Sequence, residues 1–142
     1  MKEQNFKNHA RYVAGYHFVS SALLLAILIG SIINLVHSTE GNCYSASLIT
    51  ALTVVVILIW FYSRTFALKA QDRAIRAEEN FRHFLATGKP LDARLTVQQI
   101  VALRFAGDDE FVALVKRAAD ENLSNPDIKK AIQHWRADND RV

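Results

Sequence analysis

Two uninterrupted apolar runs and one amphipathic run divide this chain. No Asp, Glu, Lys or Arg lies between Arg11 and Glu40, and none lies between Glu40 and Arg64. Each interval exceeds the roughly 20 residues a helix needs to cross about 30 Å of hydrocarbon. The pattern predicts two transmembrane helices, at about residues 16–37 and 44–63. Past Arg64 the second run turns charged and alanine-rich without meeting a Gly or Pro until Gly88 and Pro90. One helix is therefore expected to pass from lipid into water and to stop where Gly takes the cap and Pro cannot continue.

Finer periodicities suggest which faces pack. In the first span Ala22, Ala26, Gly30 and Asn34 recur every four residues, a small-residue stripe on one face that permits close helix approach in lipid. The connection at residues 38–43 is too short for anything but an antiparallel return. Ser47, Thr50 and Thr53 then recur at intervals of three. They either meet the stripe, with Asn34 near the level of Ser47, or bond back to their own helix. Tyr12 and Tyr16 at one end, and Trp60, Phe61 and Tyr62 at the other, suit the headgroup level.

Beyond the spans, Ala67, Ala70, Ala74, Ala77, Phe81 and Phe84 alternate spacings of three and four, an a/d seam over about three heptads. Docking of the tail on this seam, with Phe81, Phe84 and Leu85 supplying contact, is its expected use. A self-associating coiled coil is the alternative. The tail itself, residues 91–142, reads as three short helices. Thr96 and Gln99 form a capping box, with Leu95 and Ile100 as its staple. A second helix begins near residues 108–110 and repeats Phe111, Leu114, Val115 and Ala118 on one face. The third begins at Ser124 or Asn125, with Pro126 in its first turn, and carries Ile128, Ala131, Ile132 and Trp135. About 50 residues bury little apolar surface alone, so the tail needs the extended helix.

The expected fold is thus all-α: a basic segment (1–15), a transmembrane hairpin (16–63), a helical extension (64–86) and a three-helix tail (91–142).

Charge orients this arrangement. The net charge is +3, and the excess lies beside the apolar runs: Lys2, Lys7 and Arg11 against Glu3, then five basic against three acidic residues over 64–85. The loop between the runs has no Lys or Arg, so both termini are expected to be cytoplasmic. Arg64, Lys69, Arg73 and Arg76 fit anionic headgroups, at about 1 kcal/mol each. Residues 86–142 balance nine basic against nine acidic groups, which speaks against nucleic acid. Cys43, the only cysteine, excludes an intramolecular disulfide. The first apolar region, residues 18–36, outruns the 7–15 residues of a signal peptide and reads as a retained span.

Chemistry-bearing groups are scarce. His17 and His37 are about 30 Å apart along one helix, so only ligation between two protomers would bring them to one haem iron. His9, His83 and His134 lack metal-ligand spacing. Asp108, Asp109 and Glu110 match the start of a helix better than a cation loop. The chain carries neither a Gly-rich phosphate loop nor a G-x-S-x-G elbow, and its spans hold no acidic or basic residue that would mark an ion path. No catalytic, cofactor or metal residue is therefore assigned.

Three segments carry a resemblance: residues 4–9 (QNFKNH), 99–106 (QIVALRFA) and 128–138 (IKKAIQHWRAD). Over essentially its whole length the chain resembles an uncharacterised family of small bacterial two-span membrane proteins, a domain of unknown function. The resemblance implies a bacterial inner membrane and brings no activity with it. The functional expectation is a non-enzymatic interaction or assembly module that meets lipid and either itself or a larger inner-membrane complex. A haem, quinone or transport site between protomers is the alternative; no nucleic acid or small-molecule substrate is implied.

Overall fold

The computed structural model describes residues 5, 6 and 12–138. Most of the expected basic segment, including His9, lies outside the described residues. Those described are helical: a π-helical stretch Gly15–Ser20, then α1 (Ser21–Val36), α2 (Cys43–Thr87), α3 (Val97–Leu103), α4 (Asp108–Asp120) and α5 (Asn125–Ala131). No strand occurs among them. The described residues form two compact bodies, 12–66 and a second made of 67–138. Residues of α2 contribute to both.

In the first body, Gly15–Val36 and the apolar part of α2 are long and apolar enough to cross a membrane. Several of their hydroxyls return to carbonyls three or four residues back on the same helix. Ser21 donates to the His17 carbonyl (2.8 Å), Ser31 to Leu28 (2.9 Å), Ser47 to Tyr44 (2.7 Å) and Thr53 to Ile49 (2.9 Å). Thr50 does both things the sequence allowed: its hydroxyl lies 3.0 Å from the Ala46 carbonyl and 3.1 Å from that of Ser31. Near the other end, the Tyr16 ring stacks on Trp60 with centroids 4.8 Å apart, and the Trp60 indole donates to Ser20 Oγ at 3.0 Å. Tyr16 also donates its hydroxyl to the Trp60 carbonyl.

The covered faces differ from the expected ones. On α1 the buried or half-buried positions are Ser21, Leu24, Leu28, Ser31 and Leu35, whereas Ala22, Ala26, Gly30 and Asn34 are exposed. A Cβ added at Gly30 would meet nothing within 4 Å. The small-residue stripe is therefore not where α1 meets Thr50; the buried Ser31 takes that place. On α2, Ala46 and Thr53 are buried and Thr50 is half-buried, with Ser47 also half-buried beside them.

In the second body, α3, α4 and α5 close around Ile100, Leu103, Phe105, Phe111, Leu114, Val115 and Ile128. Their starts follow local chemistry. Thr96 and Gln99 make the reciprocal capping box, and Ser124 caps α5 by accepting from the Asp127 N–H. Asn122 takes a left-handed φ of 48°, and the next N–H, of Leu123, donates to the Ala118 carbonyl at 3.2 Å, ending α4. Gly88 ends α2 with φ 72°, its own N–H donating to the Phe84 carbonyl at 2.8 Å.

Helix α5 stops earlier than its apolar periodicity suggested. Its last residue is Ala131, Ile132 is extended, and Trp135 forms an antiparallel bridge with Ala106. The reason is tertiary. The Gln133 and His134 N–H groups donate to the Glu110 carboxylate (His134 at 2.9 Å), Gly107 N–H donates to the His134 carbonyl at 2.7 Å, and Arg136 N–H to Phe105 at 2.8 Å. These bonds replace the helical ladder.

Candidate interaction surface

The tail meets α2 through an ionic dock. Ile75 and Glu79 are the buried positions of this part of α2, at 5% and 7% exposure. Arg82, one turn on, organises the contact. Its guanidinium donates to Asp108 Oδ1, to the Ala106 carbonyl (2.8 Å) and to Glu79 Oε2 (3.1 Å), and lies 4.0 Å over the centre of the Phe111 ring. A planar, always charged fork can satisfy all three acceptors while stacking on an aromatic face, which a lysine cannot. His83 packs edge-on to Phe111 and its Nδ1 lies 2.9 Å from the Lys89 carbonyl. Asn80 Oδ1 accepts from the Leu91 N–H at 2.9 Å.

This arrangement overturns the expected use of the seam. Phe81, Phe84 and Leu85 are 62%, 50% and 70% exposed, and Ala70, Ala74 and Ala77 are exposed as well; Ala67 is half-buried. The tail sits on the face of Ile75, Glu79 and Arg82, so the a/d seam remains open. Apolar periodicity pointed to alanine and phenylalanine, but a dock built from one isoleucine and paired charges has no such period. The sign that was there to read is the i, i+4 and i, i+3 spacing of Ile75, Glu79 and Arg82, on the opposite side from the seam.

The acidic cluster at the start of α4 also does more than favour a helix N-terminus. Asp108 receives Arg82, Asp109 bonds the His134 imidazole, and Glu110 accepts the Gln133 and His134 N–H groups. The Asp109 hydrogen bond holds the His134 pKa above its ordinary value and, reciprocally, that of Asp109 below its own. Gly107 is required by close approach: an added Cβ would stand 3.0 Å from the His134 carbonyl oxygen. Elsewhere in the tail, Arg94 bridges Asp92 (2.7 Å) and Asp120 (2.9 Å), and its hydrogen bonds pull the Asp92 pKa down to about 2.

Lys69, Arg73 and Arg76 are exposed, and the half-buried Arg64 has its guanidinium 6.0 Å from the centre of the Tyr16 ring. His17 Nδ1 lies 3.0 Å from the Val13 carbonyl and His37 Nδ1 2.9 Å from that of Ile33, each on its own helical turn. No cluster of His, Cys, Asp and Glu suited to a metal is found among the described residues. Cys43 is exposed at the first turn of α2.

Fold and surface together define an all-helical chain with two helices of membrane-spanning length and an open apolar seam beside an ionic dock. The chain belongs to the family of unknown function DUF6526, whose model matches residues 1–142. No characterised protein and no solved structure matches it.

Proposed function

We propose that this chain is a non-enzymatic bacterial inner-membrane protein that works as a helical assembly module, by self-association or as an accessory subunit of a larger complex. Its two apolar helices form an antiparallel transmembrane hairpin, both termini are cytoplasmic, and the second helix extends into the cytoplasm to carry the tail. The observation that carries the reading is the seam of α2, left uncovered because the tail occupies another face. A folded body that satisfies itself with Arg82 and leaves Phe81, Phe84 and Leu85 in water has an apolar surface to give to a partner.

Membrane insertion draws support from side chains such as Leu23, Ile29, Leu52 and Ile59, all exposed on helices whose hydroxyls are internally bonded. In water such a surface costs about 25 cal/mol per Å², whereas lipid removes the cost and the helical backbone has no groups left to satisfy. Arg64, Lys69, Arg73 and Arg76 then lie where anionic headgroups reach them.

The test is purification of the full chain in mild detergent, with its mass read by light scattering and its partners by gentle affinity capture from the source membrane. A defined oligomer or a stoichiometric protein partner is the expected result. A strict monomer that brings down nothing specific would end this proposal.

A further inference from the structure

Resting on the assembly reading above, we infer that the partner on the seam is a second copy of this chain, aligned parallel and in register, with Arg73 of each copy paired to Glu78 of the other.

Three features of α2 lead there. Taking Ala67 as position a, the seam places Ala67, Ala74 and Phe81 at a, and Ala70, Ala77 and Phe84 at d. The tail covers Ile75 and Arg82 at b, His83 at c and Glu79 at f and reaches Asn80 at g through the Leu91 N–H, while Ala70, Ala74, Ala77, Phe81 and Phe84 of the a/d face stay exposed. A second helix has an approach, and the only large side chains it would bury are Phe81 and Phe84.

The flanking positions choose the partner and its direction. Arg73 and Asn80 stand at g, Glu78 and Leu85 at e. In a parallel two-stranded coil each g residue faces the e residue five positions later on the other strand. Arg73 then faces Glu78, and two-fold symmetry makes the pair twice. An antiparallel coil sets g against g and e against e, which matches Arg73, Asn80 and Thr87 among themselves and Gln71, Glu78 and Leu85 among themselves. No register of that arrangement brings opposite charges together. Within one helix, five residues turn Arg73 and Glu78 about 140° apart, so they do not pair with each other. Both side chains are exposed, and neither makes an ion pair among the described residues. Copies inserted in one membrane with the same topology are parallel from the start, and confinement raises their effective concentration. Alanine at the seam is thus sufficient where a free coiled coil in water would need larger side chains.

The experiment uses the full chain with Cys43→Ser, reconstituted in liposomes. One variant adds Ala77→Cys on the seam and another Lys69→Cys on the flank. Oxidation should link the first into a covalent dimer and leave the second monomeric. Energy transfer between labelled copies then measures dimerisation. Arg73→Glu or Glu78→Arg alone should weaken it about tenfold, by turning two attractions into two repulsions, and the double exchange should restore it. Restoration also shows that a glutamate at position 73 and an arginine at position 78 are compatible with the fold.

Equal cross-linking at both positions, or single reversals without effect on a persisting dimer, would overturn the assigned face while leaving assembly itself standing. A liposome monomer would overturn the second copy as partner, and assembly would then depend on a different protein recovered from the source membrane.

Discussion

Replacing Arg82 by methionine keeps most of the side-chain volume and removes every polar bond the guanidinium makes. The buried Glu79 carboxylate then loses the cation 3.1 Å away, and the Ala106 carbonyl loses its donor. Breaking one half of a buried pair costs about 3 kcal/mol, mostly because the remaining charge stays buried. Arg82→Met should therefore lower the thermal unfolding midpoint of the full chain in mild detergent, followed by far-ultraviolet circular dichroism. Adding Glu79→Leu should recover part of the loss, since neither charge is then stranded. His134 offers a second residue-level test, this time through pH. Its pKa is raised by Asp109, so its contribution is complete below about 6.5, the unfolded value, and fades as pH rises through the folded value. Asp109 runs the other way, contributing above about 3.8 and fading as pH falls through its lowered folded value. The 133–138 segment is thus best fastened in mild acid. The imidazole proton resonances of His134 should titrate with a midpoint above 6.5, and Asp109→Asn should bring that midpoint down.

Helix starts and helix docks demand different evidence, and this chain separates them. The starts of α3 and α5 were legible because Thr96 with Gln99, and Ser124 with Pro126, act within four residues of one another. Thr96→Ala should cost about 1 kcal/mol, the ordinary loss of a cap. Gln99→Leu should cost more, about 2 kcal/mol, because Gln99 is buried and its amide also donates to the Leu123 carbonyl at 2.9 Å. Urea unfolding of the two variants in the same detergent would rank them, and equal losses would mean that the Leu123 bond contributes nothing. What the local pattern did not disclose are features made by residues far apart in sequence. The end of α5 depends on Glu110, Gly107 and Phe105, more than twenty positions away. The docking face of α2 depends on Asp108 and Phe111, whose partners on α2 are Arg82 and His83, two polar residues outside the apolar periodicity. Apolar spacing reports where surface is available to bury, and in this helix the available surface and the buried one are different faces.

At the scale of the whole molecule, the proposed orientation rests on the placement of a few charges. Arg11 and Arg64 bound the two apolar runs, while the loop at residues 38–43 carries only Glu40. If Lys and Arg are retained on the cytoplasmic side, that loop faces outward. Cys43 makes the point measurable, being exposed and the only cysteine in the chain. A thiol reagent that cannot cross the membrane should label the native chain in intact cells. The variant that carries Cys43→Ser with Ala137→Cys should react only after the membrane is opened. Two lysines placed in the loop, at Thr39 and Asn42, would oppose the bias of the flanks and should reduce the fraction labelled from outside. Labelling at position 137 in intact cells would reverse the proposed orientation and with it the proposed contact of Arg64, Lys69 and Arg76 with anionic headgroups of the inner leaflet. The seam of α2 would then face the outer compartment, where the assembly it serves would have to be sought.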